Sequence, residues 1–448
     1  MKIIVIGAGK IGFSIAELLS NEGHDVVVID QDDERIELVD QTLDVQAVVG
    51  SGSSRKTLEA GGVGSADMVV AVTEMDELNM IACLLSKQYG ARITVARVRN
   101  PEYVETSNSF IKELLGIDLI LNPERVTAME IADIIKNPEL FNVDYYADGK
   151  VRMVEVLVEK DSPIAETKLK NLDTSRFVIT AIMRNHRMFV PGGEDLIKVA
   201  DHLYVMANAT DIPEVLKIMG IQKKKIENIT ILGGGRTGYY LAKELEDAKV
   251  PVDVKLIEKD TKRAKDISEK LNCLVINGDG SDFDLLQSEN IGLSDFFVAV
   301  TDDDKLNMLS ALIAKNLGVK KTIARIKRTD VIPLMEQIGI DVVLSPRTLT
   351  AGAVLKYIRK GNILSVKLLG EEKAEMIELV AQPGSAAVNR KLHTIGFPRG
   401  AVVGAIVRGE EVIIPDGQSV IQAFDHLMIF SMPKSVHKVE KLFIGEGK

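Results

Sequence analysis

Two glycine loops, GAGKIG at Gly7 to Gly12 and GGGRTG at Gly233 to Gly238, carry the most chemical information in the chain. Each follows a short apolar run, KIIVI or ITIL, and opens an amphipathic one, so each has the context of a strand, a turn and a helix. In such a turn the first glycine permits the bend, the second lets backbone approach a phosphate, and the third lets helix pack on strand. A phosphate then sits at the helix start, where unpaired N–H groups and the helix dipole favour an anion by roughly 0.3 to 1 kcal/mol. Lys10 and Arg236, at the same place in the two loops, add a cation beside that cradle or are simply solvated helix starts. An acid ends the next apolar run in each case, Asp30 18 residues after Gly12 and Glu258 20 residues after Gly238. Such an acid accepts hydrogen bonds from ribose hydroxyls and repels a 2′-phosphate, which disfavours NADP. NAD, ATP and ADP all offer a free ribose diol, so the ligand class is an adenine nucleotide.

The loops belong to a repeat of the whole chain. AVTEMDELNM at Ala71 returns as AVTDDDKLNM at Ala299, 228 residues later, with seven of ten letters identical. VVGSGS at Val48 answers INGDGS at Ile276, ARVR at Ala96 answers ARIK at Ala324, and GIDLILNP at Gly116 answers GIDVVLSP at Gly339. PGGEDLIKVADHLYVM at Pro191 answers PDGQSVIQAFDHLMIF at Pro415. A period above 200 residues is too long for a solenoid, so each half holds complete folding units.

The AVT ends a strand, and in an open parallel sheet ligands lie beyond the carboxyl ends of the strands. Thr73, Glu74, Thr301 and Asp302 are therefore expected to line the cleft, with Asp76 and Asp304 starting the next helix. The alternative is that AVT recurs only because strand and helix must pack. Arg97 and Arg325 end the following strand and either reach the same cleft or pair with surface acids. Ser51 stands where the second copy has Asp279, so the two clefts are expected to differ in ligand or affinity. TDDDK at Thr301 is read as a solvated helix start, not a cation site, because adjacent acids point in different directions. His202 and His426 recur in DHL; with no nucleophile or metal-ligand spacing nearby, a turn entering a strand is favoured over an Asp–His catalytic pair.

Composition sets the outer limits. Hydrophobic residues make up 46% of the 448 and charged residues 27%, the balance of a globular chain of three or four domains. A net charge of −10 with 4% aromatics argues against a nucleic-acid partner. Cys83 and Cys273 stand in unrelated contexts, so neither a disulfide framework nor a Cys-based metal site is expected. No apolar run approaches the ~18 residues that cross a bilayer, and the opening MKIIVIGAGKIGF lacks a cleavage pattern, which points to the cytoplasm.

Six apolar runs separated by amphipathic ones fill residues 1–122: KIIVI, DVVVID, AVV, MVVAV, ITVARV and DLIL. They read as a Rossmann-like, doubly wound parallel sheet, since strands buried on both faces show no alternation. ERVTAMEIADIIKN then leads out of the sheet as a connecting helix over 123–140. VRMVEVLV, RFVITAIMR, RMFVP and HLYVM form a small α+β unit over 141–221. A polar linker at 222–226 is followed by the same order: a second Rossmann-like domain over 227–345, a crossover helix over 346–361 and a small α+β domain over 362–448. A dehydrogenase would need a proton donor and a substrate pocket beside its cofactor, and units this small show neither.

GAGKIG with Asp30, VVGSGS, AVTEMDELNM and ARVRNPEY, followed by a small β-rich unit and all duplicated, resemble the TrkA family. These are peripheral regulatory subunits of Trk potassium uptake systems, built from tandem RCK domains (regulator of potassium conductance). The resemblance implies that Gly7, Ala8, Gly9, Lys10, Ile11, Gly12, Asp30, Ser51, Thr73, Glu74 and Arg97 bind nucleotide in the first lobe. Gly233, Gly234, Gly235, Arg236, Thr237, Gly238, Glu258, Asp279, Thr301, Asp302 and Arg325 would do so in the second. It further implies NAD(H) and/or ATP/ADP as regulatory ligands, and no catalytic or metal site. The implied partner is an integral-membrane potassium transporter subunit of the TrkH/TrkG kind, met by a homo-oligomer, a tetramer, on the inner face of the membrane. Crossover helices near Val126 to Ile135 and Leu349 to Ile358 would join neighbouring subunits. A soluble NAD-dependent oxidoreductase is the alternative from another class, and a cytosolic scaffold unconnected to transport is a third.

Overall fold

A computed structural model of the chain describes residues 1–100, 103, 114–138, 143–185, 187–221, 225–358, 363–369 and 374–443. Part of the expected linker, 222–224, and the ends of both expected crossover segments, 139–140 and 359–361, lie outside the described residues.

The first sheet is built from β1 (Lys2–Ile6), β2 (Asp25–Asp30), β3 (Gln46–Val49), β4 (Met68–Ala71), β5 (Ile93–Arg97) and β6 (Leu119–Leu121). Their order is β3-β2-β1-β4-β5-β6, with every pairing parallel. All six apolar runs named from the sequence are strands of this sheet. Ile3, Ile4 and Val5 in β1 and Met68, Val69 and Val70 in β4 are fully buried, because helices cover both faces. The helix Lys10–Asn21 supplies one cover, burying Gly12, Ile15, Ala16 and Leu19 at the 3.6-residue period. The order reverses between β1 and β4, and at such a reversal the strand ends open into a crevice.

Strands β7 (Val143–Tyr146), β8 (Val151–Leu157), β9 (Phe177–Arg184), β10 (Arg187–Phe189) and β11 (His202–Asn208) make an antiparallel sheet in the order β10-β9-β11-β8-β7. The apolar pattern of the sequence marks four of these; β7, half polar and only four residues long, carries no pattern strong enough to separate it from a loop.

The second half repeats both sheets. β12 (Asn228–Leu232), β13 (Asp253–Glu258), β14 (Leu274–Asn277), β15 (Phe296–Ala299), β16 (Lys321–Arg325) and β17 (Val342–Leu344) pair in parallel as β14-β13-β12-β15-β16-β17. β18 (Ile363–Leu369), β19 (Ala374–Val380), β20 (Ala401–Arg408), β21 (Glu411–Ile413) and β22 (His426–Ser431) give the order β18-β19-β22-β20-β21. The crossover helices are Pro123–Lys136 and Pro346–Ile358, each with proline at its first position.

The compact units cut across the repeat. One contains residues 1–132 with 226–355, which is both parallel sheets, and the other contains 133–225 with 356–448, both antiparallel sheets. In the second unit the two small sheets share one apolar core, where Met153, Tyr204 and Met206 meet Met376, Met428 and Phe430. Glu378 crosses that core to accept a hydrogen bond from the Ala147 backbone N–H at 3.0 Å. The DHL segments are structural turns: Asp201 receives two hydrogen bonds from Arg184, both 2.6 Å, and Asp425 receives two from Arg408, both 2.8 Å. His202 opens β11 and holds Glu155 at 2.7 Å.

Candidate functional site: two nucleotide crevices

Both glycine loops have the geometry of a phosphate cradle. Gly7 and Gly233 adopt φ +105°, a conformation that L side chains rarely hold. A Cβ on Gly12 would fall 1.7 Å from the Gly7 carbonyl oxygen, and one on Gly238 would fall 1.9 Å from that of Gly233. The first and third glycines are thus required by the chain's own backbone. The second is not: a Cβ on Gly235 meets nothing within 4 Å, and one on Gly9 meets only the Arg35 side chain, at 3.8 Å. The open space lies at the N-cap of the helices Lys10–Asn21 and Arg236–Asp247, neither of which has a side-chain cap. Uncapped helix starts leave N–H groups for an anion, so the residues present fit a nucleotide phosphate.

The acids close the loops. Asp30 accepts from the Ala8 N–H at 2.6 Å and the Asp32 N–H at 3.0 Å. Glu258 accepts from the Gly234 N–H at 2.8 Å and the Asp260 N–H at 2.8 Å. Each carboxylate is fixed against its glycine turn, at the end of β2 or β13. Arg263 also reaches Glu258, at 3.3 Å, whereas its counterpart Arg35 stands 4.0 Å from Asp30.

The opposite lip explains why AVT and LNM are written twice. Asn79, fully buried, accepts from the Thr73 N–H at 2.8 Å and Oγ1 at 2.7 Å. Its amide donates to the carbonyls of Thr73 at 3.1 Å and Arg97 at 2.9 Å. Asn307 makes the same four bonds to Thr301 and the Arg325 carbonyl, between 2.6 and 2.9 Å. One asparagine thereby clamps the end of the middle strand to the end of its neighbour. Asp76 and Asp304 extend the clamp, accepting from the N–H groups of Arg99 and Lys327. Sequence reasoning misses both asparagines; their identity in the two copies, within a helix's first turn, is the available signal.

Arg97 and Arg325 both line the cavity beside the first glycine loop, although Arg325 is expected at the second. Arg97 donates to the Thr73 carbonyl at 3.4 Å, and burial, with Arg99 close by, holds its pKa below the ordinary arginine value. Arg325 is 9% exposed and donates to the Thr301 carbonyl at 2.9 Å and to Asp302 at 3.1 Å. The Nε atoms of both arginines are buried without a partner. Each has hydrogen-bonding capacity that the protein itself leaves unused.

Gly7, Ala8, Gly9, Lys10, Ile11, Asp30, Thr73, Glu74 and Arg97 line one cavity of about 970 Å³. Gly12 lies beneath it, packing helix on strand, and Ser51 sits beside it between the lining residues Gly50 and Gly52. The cavity extends between the two parallel-sheet lobes: Arg325, Lys327, Pro346 and Arg347 of the second lobe line it as well. Lys327 is not among the residues that the sequence points to, and neither are Pro346 and Arg347. The signal for the last two is a charge reversal in an otherwise matched stretch, where NPER at Asn122 faces SPRT at Ser345. In the second crevice Arg236 and Thr237 open the helix below the loop, with Thr237 buried. Asp279 holds Lys259 at 2.6 Å. That hydrogen bond, with those from Ser281, keeps the Asp279 carboxyl well below the usual carboxylate range. Among the described residues no cluster of His, Cys, Asp and Glu has metal-holding geometry, and no helix is long and apolar enough to cross a membrane.

Known proteins match the chain along its length. The TrkA-N domain matches residues 3–123 and 229–346, and the TrkA-C domain matches residues 153–220 and 376–444. Trk system potassium uptake protein TrkA homolog 1 of Methanosarcina mazei is 38% identical, the alignment covering 99% of this chain and 100% of the relative. Trk system potassium uptake protein TrkA of Halomonas elongata is 33% identical over 99% of this chain and 98% of its own length. Among solved structures, the GsuK channel bound to NAD superposes with a TM-score of 0.63 at 16% identity, over 99% of this chain and 78% of that one. GsuK bound to ADP gives a TM-score of 0.51 at 16% identity, over 80% and 69%. At this identity the likeness to GsuK is one of fold.

Proposed function

Because the chain belongs to the TrkA family, we propose that it is the nucleotide-sensing regulatory subunit of a membrane potassium uptake transporter, and not an enzyme. NAD(H), ATP or ADP binds the crevices at Gly7–Gly12 with Asp30 and at Gly233–Gly238 with Glu258, and occupancy changes the shape of a larger assembly. The observation that carries this reading is the pair of second-position glycines, Gly9 and Gly235, whose Cβ positions stand open above uncapped helix starts. The names of the relatives support a potassium uptake system as the setting, and a GsuK channel of this fold bound to NAD supports NAD as a ligand class.

The assembly is a homo-oligomer, a tetramer, peripheral on the inner face of the membrane, with the crossover helices joining neighbours and an integral-membrane transporter subunit of the TrkH/TrkG kind as partner. A nucleotide shifts such a gate only by binding one shape better than the other. Moving a two-state gate from mostly shut to mostly open takes about 5.5 kcal/mol, or ~0.7 kcal/mol per site for eight crevices acting together. One altered phosphate contact supplies that much. Duplication has a use in this scheme, since it multiplies a small preference.

The test is nucleotide binding to the full chain, with Asp30→Ala and Glu258→Ala separately and together. Each single variant is expected to lose binding at its own crevice, and the double variant at both. Unchanged affinity in all three removes the ribose assignment. Turnover of NADH with a small carbonyl substrate, abolished by one side-chain change, would establish the oxidoreductase instead.

A further inference from the structure

The first crevice is completed by the second lobe. The guanidinium of Arg347, second residue of the helix Pro346–Ile358, lies 5.8 Å above the ring of Phe13, and its Nε donates to Ser14 Oγ. Phe13 and Ser14 belong to the first turn and a half of the helix Lys10–Asn21, whose start is the phosphate cradle. At 1.5 Å rise per residue, Ser14 is only about 6 Å along the axis from Lys10. Arg347 lines the same cavity as Lys10, Arg97, Glu74 and Glu124, and neither glutamate is within ion-pair distance of it. Arg325, nine-tenths buried, faces the same space with its Nε unpartnered.

A pyrophosphate seated on the helix start is already served by backbone N–H groups and Lys10. Cations brought in from the other lobe suit charge that lies farther out. We propose that Arg347 is a specificity-determining residue of the first crevice: it reads the terminal phosphate of a nucleoside triphosphate and makes that crevice prefer tri- over diphosphate. This inference rests on the nucleotide-sensing reading. The repeat makes the device one-sided. Arg347 has Glu124 as its counterpart in the first half, and Ser14 has Tyr240 as its counterpart in the second. Asn122, two residues before Glu124, reaches the Tyr240 hydroxyl at 3.4 Å. The segment that meets the second lobe's helix thus has no arginine in Arg347's place, and the Glu124 that stands there lines the first cavity. The proposal concerns the first crevice, where a bound triphosphate is held by both lobes of the parallel-sheet unit.

The experiment titrates the full chain with ATP and ADP in a background whose second cradle is filled by Gly235→Phe, a position with open space above it. Arg347→Met keeps the side chain's packing over Phe13 and removes the charge; Arg347→Lys keeps the charge. Loss of one charge-assisted phosphate contact lowers ATP affinity in Arg347→Met by about ten- to a hundredfold. ADP affinity changes less than about twofold, and Arg347→Lys keeps part of the preference. Equal losses for ATP and ADP, or an unchanged ratio, overturn the inference while leaving the nucleotide-sensing reading intact. Failure of the unaltered chain to bind either nucleotide overturns both. Thermal unfolding without nucleotide is expected to match across the three proteins; a lower midpoint in Arg347→Met alone, with equal losses for both nucleotides, marks a structural clamp and also sinks the proposal.

Discussion

The two crevices share a frame and differ at their rims. In both, a glycine at φ +105° makes the turn, an acid at the end of the second strand holds the loop, and a buried asparagine clamps the opposite lip. Around that frame the charges diverge. The second crevice carries its own ion pairs: Arg263 with Glu258, Lys259 with Asp279 and Arg325 with Asp302. The first has Gln31 and Ser51 where the second has Lys259 and Asp279, and it opens into a cavity lined partly by second-lobe cations. Backbone geometry in a duplicated fold is held by packing, which tolerates few changes, while rim charges change at little cost to folding. Duplication therefore preserves the cradle and lets the charges around each copy drift.

The widest gap is expected between glycines within one loop. Gly12→Ala or Gly238→Ala places a methyl group within 2 Å of a carbonyl oxygen and should cost about 3 kcal/mol of stability, seen as a lower urea midpoint. Gly9→Ala or Gly235→Ala should stay within about 1 kcal/mol of the parent, yet weaken nucleotide binding at its own crevice about tenfold. If Gly9→Ala destabilises as much as Gly12→Ala, the open space above the second glycine has been misread.

The shared frame itself is broken by Asn79→Ala or Asn307→Ala. Each removes the asparagine partner of the threonine N–H and of the arginine carbonyl, at about 2 kcal/mol, and the two losses should agree. Chemical denaturation of both variants checks the agreement; a large loss in only one lobe would mean that the lips are not equivalent.

The smallest effect lies at the rim. The Asp279 carboxyl is held below its ordinary value, first by its hydrogen bond from Lys259 and then by those from Ser281. A depressed folded-state pKa adds stability at pH values above the unfolded-state value, about 3.9, and that contribution fades as pH falls below it. Because the side chain is 37% exposed, solvent screening keeps the gain small. Asp279→Asn should slightly flatten the stability profile on the acid side of pH 4, measured by acid unfolding, while Ser51→Asn leaves it unchanged. Equal slopes in Asp279→Asn and the parent would show that this ion pair does not distinguish the rims.

Much of the fold is legible in the chain. Continuous apolar runs such as KIIVI and MVVAV mark strands buried on both faces, and all twelve strands of the parallel sheets follow from such runs and their repeats. The glycine spacing, Asp30, Glu258 and the AVT lips are equally readable, because local backbone geometry demands those residue types at those distances. Short, half-polar β7 is not, and neither are Asn79 and Asn307, whose worth lies in four hydrogen bonds to segments distant in sequence.

The sequence by itself determined the cradles, since a phosphate turn is encoded within about 25 consecutive residues and owes nothing to the rest of the chain. Only tertiary structure decided that like pairs with like across the repeat, parallel-sheet lobes in one unit and antiparallel-sheet lobes in the other. Only that pairing brings Arg347 to the helix of Phe13 and Ser14, 333 residues away along the chain. Charge and spacing along a chain show which groups are present; which of them share a cavity depends on how apolar faces are buried between lobes, and no local pattern records that.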